Sequence, residues 1–162
     1  MNEKLCGERN SIPIHFGIPE NEKDPIGNAK QRNSDADISI KPRILVVEDE
    51  ALVAENIKEF LESTGYLVTD VAYSGEEALQ KMSGGCVDLI LMDVRLAGKM
   101  DGIETAALIH QTLHEIPIVF LTAYAEELQP QIYNISPRLY RFISKPYDGG
   151  DLKKAIRDLL LK

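Results

Sequence analysis

The sequence predicts an α/β fold of five βα units around a parallel sheet, and three observations carry that prediction. From Arg43 onward, short apolar runs alternate with stretches of helical periodicity, the pattern of strand–helix units with parallel pairing. Three of the runs (ILVV at 44–47, LILM at 89–92 and IVFL at 118–121) are apolar without alternation, as strands covered on both faces must be. Each of them is followed at once by polar residues: Glu48 and Asp49, Asp93, and Thr122.

The elements can be taken in order. Strands are expected near 43–47, 67–72, 88–92, 117–121 and 140–144. The second, LVTDVA, is the more polar and is expected at an edge of the sheet. Val53, Ile57, Phe60 and Leu61 repeat at i, i+4, i+7 and i+8, which predicts a first helix ending near Gly65. Ala78, Leu79 and Met82 mark a second helix over roughly 75–82, closed by Gly84-Gly85. A third begins near Gly102 and uses Ile103, Ala106, Ile109 and Leu113. The last, about 148–161, repeats Leu152, Ala155, Ile156, Leu159 and Leu160, with Asp148 placed to cap its start. Between the fourth and fifth strands Pro130 interrupts AEELQPQIYN, so a short helix from Gln129–Pro130 or an irregular segment is expected there.

Residues 1–42 differ in kind. Pro13, Pro19 and Pro25, turn-forming asparagines and mixed charge leave no persistent period. The expectation is a disordered leader, or one that docks loosely through Ile12, Ile14 and Phe16. The five units fill residues 43–162, and no output domain is expected after them.

Hydrophobic residues make up 44% of the 162 and charged residues 27%, ordinary for a globular protein. A net charge of −8 argues against direct nucleic-acid binding, which needs a basic face, and against anionic membrane surfaces. No apolar run approaches the roughly 18 residues of a membrane span, and the start lacks a signal-peptide core. Two cysteines, Cys6 and Cys86, form no disulfide framework and are expected as free thiols. A cytoplasmic protein with no membrane insertion is expected.

The chemistry lies at the strand ends. In a parallel sheet the ligand crevice opens beyond the carboxyl ends of the strands, so Glu48, Asp49, Asp93, Thr122 and Lys145 should converge. Three carboxylates together resist full ionisation, and a divalent cation removes that penalty. Magnesium suits such oxygen ligands. Asp93 can attack a phosphoryl group to form an acyl phosphate. Such transfer depends on positioning and charge neutralisation, which the Lys145 ammonium can supply opposite the metal, while the Thr122 hydroxyl can donate to a phosphoryl oxygen. Taken singly, an acidic pair after a strand is a common loop or cap and a lone Asp a common turn residue; the ordered coincidence of all five favours a site. His110 and His114, at the end of the third helix, lack metal-ligand spacing and are expected at the surface.

Residues 43–162 resemble the receiver domain of two-component response regulators. ILVVEDE, DLILMDVRLAGKMDGIE, PIVFLTAY and FISKPY are similar to that family's signature segments. The resemblance implies a flavodoxin-like, doubly wound sheet with strand order 2-1-3-4-5. It implies that Asp93 is the phosphoacceptor, charged by a sensor histidine kinase or a histidine phosphotransfer protein. Glu48, Asp49, Asp93 and the backbone carbonyl of Arg95 would hold Mg2+ or Mn2+. Lys145 and Thr122 would contact the phosphoryl group, and Thr122 with Phe142 would form the switch. Two departures concern one loop: Ala97 stands where the family often has proline, and LAGKMDG is one residue longer than the commonest form. A third is ISPRLYRF before the fifth strand, in place of a small-residue turn.

The implied function is a single-domain response regulator that switches a protein-binding surface toward a downstream protein target. It would catalyse only its own phosphorylation and dephosphorylation. The alternatives are a phosphorelay intermediate, a pseudo-receiver that only makes contacts, and an aspartyl-phosphate phosphatase. The last usually carries a second acid two residues after the nucleophile, where this chain has Arg95.

Overall fold

The computed structural model describes residues 41–84, 86–112, 115–123 and 138–161. The expectations placed on residues 1–40, on the segment around Pro130, on Leu113 and on His114 lie outside these residues. Five strands form one parallel sheet: β1 (Arg43–Val47), β2 (Leu67–Ala72), β3 (Leu89–Asp93), β4 (Ile118–Thr122) and β5 (Tyr140–Ser144). Their order is β2-β1-β3-β4-β5, with the more polar β2 at an edge, as expected. Four described helices accompany them: α1 (Ala51–Ser63), α2 (Gly75–Met82), α3 (Gly102–Thr112) and α4 (Gly149–Leu160).

Alternation along the strands divides the core into two faces. Ile44 and Val46, Leu89 and Leu91, and Val119 and Leu121 pack with Ile57 and Leu61 of α1 and Leu152, Ile156 and Leu159 of α4. Leu45 and Val47, Ile90 and Met92, and Ile118 and Phe120 pack with Ala78 and Met82 of α2 and Ala106 and Ile109 of α3. Helices on both faces explain why the central strands show no alternation in sequence.

The chain winds from β1 outward to β2, then crosses back over β1 to β3, so the winding direction reverses between β1 and β3. That is where a doubly wound sheet opens its ligand crevice. At the opposite end of the same two strands, Arg43 and Asp88 pair side chain to side chain at 3.1 and 3.2 Å, and Arg43 N–H donates to Asp88 Oδ2 at 2.8 Å. This fork fixes the register at one end and leaves the other end to function.

Local signals set the helix ends. The Ser74 side chain accepts from Glu77 N–H at the start of α2. Asp148 accepts from Gly150 and Asp151 N–H, and Asp151 returns a bond to Asp148 N–H, completing a capping box on α4. Gly65 follows the end of α1 with φ 98°, a conformation that favours glycine. Two expectations fail. Cys86 is disulfide-bonded rather than a free thiol. His110 is half-buried rather than at the surface. Its Nε2 lies 2.8 Å from the Ile116 carbonyl and its Nδ1 2.5 Å from the Tyr140 hydroxyl, partners that helical periodicity does not reveal. No helix among the described residues is long and apolar enough to cross a membrane.

Candidate functional site

Val47 pairs with Met92 in the sheet register, so the next residue on each strand, Glu48 and Asp93, emerges beside the other. Asp93 pairs with Leu121, which sets Thr122 at the neighbouring strand end, and Thr122 pairs with Ser144, which sets Lys145 beyond β5. Lys145 N–H donates to the Thr122 carbonyl at 2.8 Å, extending the ladder by one bond. Strand pairing alone thus brings together residues separated by up to 97 positions.

Glu48, Asp49 and Asp93 each place a carboxylate oxygen within 4.8 Å of the others. Glu48 is 1% exposed and Asp93 6%. Lys145 Nζ donates to Asp93 Oδ2 at 2.6 Å and to Glu48 Oε2 at 3.2 Å. Asp93 Oδ1 accepts Arg95 N–H at 3.0 Å, and Asp49 Oδ2 accepts Ala97 N–H at 3.2 Å. Thr122 is buried at the end of β4. Phe142 is half-buried and stacks on Phe120, with ring centroids 5.1 Å apart and planes at 19°. Arg95 is exposed. The Lys145–Pro146 peptide is cis.

The electrostatics arise from burial. Removal from water and the charge of Asp93 raise the Glu48 carboxyl above the usual glutamate range, and the Lys145 ammonium offsets only part of this. Burial alone would lower Lys145; the hydrogen bond and charge of Asp93, with those of Glu48, outweigh it and hold the ammonium protonated. The Lys145 ammonium therefore shares the site with three carboxylates.

Glu48 Oε1 is buried and has no hydrogen-bond partner among the described residues. A buried oxygen left in that condition is costly unless something coordinates or solvates it. An all-oxygen donor set with an unfilled buried ligand atom fits a hard divalent cation that keeps several of its waters, as magnesium does. A thiophilic or imidazole-seeking metal would find no ligand in this cluster.

Sequence reasoning named all these side chains and missed those that hold the β3–α3 loop. Asp101 Oδ1 accepts from Ile103 and Glu104 N–H, and Glu104 Oε2 accepts Asp101 N–H, so this pair starts α3. The Asp-x-x-Glu spacing in MDGIE was a readable sign of that cap. Glu76, which accepts Lys99 N–H at 3.1 Å, carried no such sign.

The chain matches the response regulator receiver domain over residues 44–157. It is 34% identical over 115 residues to the transcriptional regulatory protein DltR of Streptococcus agalactiae, covering 71% of this chain and 50% of that protein. It is 34% identical over 124 residues to the transcriptional regulatory protein PdtaR of Mycobacterium tuberculosis, covering 76% of this chain and 58% of that protein. The chain therefore spans about half the length of the curated relatives it matches. Among solved structures, the response regulator TrrA of Thermotoga maritima in complex with Mg2+–BeF is similar at 34% identity and a TM-score of 0.64, covering 74% of this chain and 99% of that one. Receiver domains bind Mg2+ at an acidic pocket and serve as switches in two-component signalling. With the sheet order, the acidic cluster at the β1/β3 switch point and these matches in agreement, the chain belongs to the response regulator receiver domain family.

Proposed function

We propose that this protein accepts a phosphoryl group on Asp93 from a sensor histidine kinase or a histidine phosphotransfer protein and thereby switches a protein-binding surface. The observation that carries the reading is the convergence of three carboxylate oxygens within 4.8 Å with a lysine 2.6 Å from one of the carboxylates. Glu48, Asp49, Asp93 and the Arg95 carbonyl would hold Mg2+ or Mn2+. The metal, when bound, supplies positive charge to the phosphoryl oxygens on one side of the transfer.

The remaining steps belong to the chain's own groups. An Asp93 carboxylate oxygen attacks phosphorus, the N–P bond of the donor phosphohistidine breaks, and its electron pair leaves with the imidazole. Lys145, already on Asp93 Oδ2, passes to a phosphoryl oxygen and stabilises the charge there. The Thr122 hydroxyl turns to donate to a second phosphoryl oxygen. That movement frees space beside β4, and Phe142 shifts on its Phe120 platform.

The protein acts as a switch and not as an enzyme on other substrates: it catalyses only its own phosphorylation and dephosphorylation. Its downstream target is a protein, or a further member of a phosphorelay. A net charge of −8 supports protein contact over direct nucleic-acid contact and over binding to anionic membrane surfaces. Incubation with acetyl phosphate, with and without Mg2+, tests the central step. Intact-mass measurement should show one phosphoryl group added to wild type only with metal, and none on Asp93→Asn. Equal labelling of that variant would sink the assignment of Asp93.

A further inference from the structure

Residues 94–101 carry the chain from β3 to α3, and both ends of this loop are fixed. Gly102 N–H donates to the Val94 carbonyl at 2.9 Å, and Asp101 with Glu104 caps the helix. The tip is held from two sides. Ala97 N–H donates to Asp49 Oδ2 at 3.2 Å, and Lys99 N–H donates to Glu76 Oε1 at 3.1 Å. Between these anchors Gly98 has φ 133°, and a Cβ on it would lie 2.9 Å from Glu76 Oε2. The Glu76 carboxylate thus covers a loop residue whose backbone conformation and space both favour glycine.

Within α2, Glu76 also accepts its own backbone N–H and the Ser74 hydroxyl, contacts that brace the same carboxylate that reaches the loop. Ser74 caps α2, while Glu77 accepts Tyr73 N–H at 2.8 Å and pairs with Lys81 at 2.8 Å. The helix start is fixed further by Gly75, where a Cβ would meet Thr105 Oγ1 of α3 at 2.1 Å. Glu76 therefore projects from a stationary platform onto the loop. Backbone N–H groups, its own and that of Lys99, hold its carboxyl below the usual glutamate range, so the acceptor is anionic at neutral pH.

We propose that Glu76 is a positioning residue for the acidic site, acting through the loop tip to keep Ala97 N–H against the Asp49 carboxylate. The inference rests on the reading of Glu48, Asp49 and Asp93 as a magnesium site. A carboxylate that is free to rotate must be ordered when the cation binds; one already fixed by a hydrogen bond avoids that cost. Residues 94–101 contain no proline to restrict the backbone, so a side-chain anchor on the tip supplies that restriction while leaving Ala97 N–H free to donate to Asp49.

The test is Mg2+ titration of the full chain followed by amide NMR, with hydrogen exchange on the metal-free protein. Glu76→Ala should lose exchange protection at Ala97 and Lys99 and bind Mg2+ about tenfold more weakly. Glu76→Gln keeps a carbonyl oxygen for Lys99 N–H and should stay within about twofold of wild type. Gly98→Ala, with Glu76 intact, should displace the same tip and reproduce the weakening; it carries the test if Glu76→Ala does not fold. Unchanged affinity in Glu76→Ala overturns the proposal. So does an equal loss in Glu76→Ala and Glu76→Gln, which would assign the effect to charge alone. A wild type that binds no Mg2+ would instead overturn the underlying site, whatever the exchange at Ala97 shows.

Discussion

At Glu48 a carboxylate 1% exposed shares the site with the Asp93 carboxylate, and one of its oxygens has no partner among the described residues. Its raised pKa means that the folded state holds the proton more tightly than the unfolded chain does. Stability from this group is therefore fully present below the ordinary glutamate value and is lost as pH rises through the folded value. Above the ordinary glutamate value, the burial that raises this pKa works against the metal-free fold. Glu48→Gln should raise metal-free stability at pH 7 by on the order of 1 kcal/mol, with little gain near pH 4. Urea denaturation at the two pH values checks this, and a loss of stability at pH 7 would contradict it. Thr122 poses a different question. Its backbone is held by β4 and by Lys145 N–H, so Thr122→Ala removes a hydroxyl and leaves the strand pairing in place. Phosphorylation at Asp93 should persist, while the change in Phe142 ring resonances on phosphorylation should largely vanish. A full ring response in the variant would break the proposed coupling.

At the scale of elements, the start of α3 is pressed against the end of β3. A Cβ on Gly102 would lie 2.2 Å from the Asp93 carbonyl oxygen and 3.0 Å from Met92 Cγ, and the first of these is backbone that cannot rotate away. Gly102→Ala must shift the helix or the strand end that carries Asp93. The expected cost is about 1–3 kcal/mol, together with slowed phosphorylation, because the shift falls on the carboxylate proposed to accept the phosphoryl group. Thermal denaturation and acetyl phosphate labelling measure the two effects; an unchanged labelling rate would show that the strand end holds its place. Helix starts and strand ends were legible because each obeys a local rule: a cap residue, a glycine, or the first polar residue after an apolar run. The clamp of Glu76 on Lys99 was not, because it depends on where the β3–α3 loop passes relative to α2.

For the whole molecule, the site stands between elements that the sheet brings together, so metal binding and folding are linked. The unfolded chain has no cluster of three carboxylates to offer. Mg2+ at about a hundredfold above its dissociation constant should stabilise the fold by about 2.7 kcal/mol. That corresponds to a rise in Tm of several degrees for a domain of this size. Chelation should reverse it, and Asp93→Asn should diminish it. Differential scanning calorimetry with and without Mg2+ decides the matter; a wild-type Tm indifferent to the metal would count against the cation site.

The sequence by itself determined the α/β class, the boundaries of the five strands to within a residue, the edge position of β2 and the identity of the side chains at the strand ends. These depend on periodicity and on the first polar residues after a buried run, both of which are local. Resemblance supplied the strand order that periodicity could not. Only the tertiary structure decided that Lys145 touches both Asp93 and Glu48, that His110 turns inward to Tyr140 and Ile116, and that Asp49 and Glu76 share one loop. Each of these is a contact between residues that the strand and helix periods leave unrelated. Sheet pairing fixes where the strand-end backbones lie and burial makes Glu48, Asp93 and His110 find partners within reach, while the exposed bonds to Asp49 and Glu76 follow from the path of the loop.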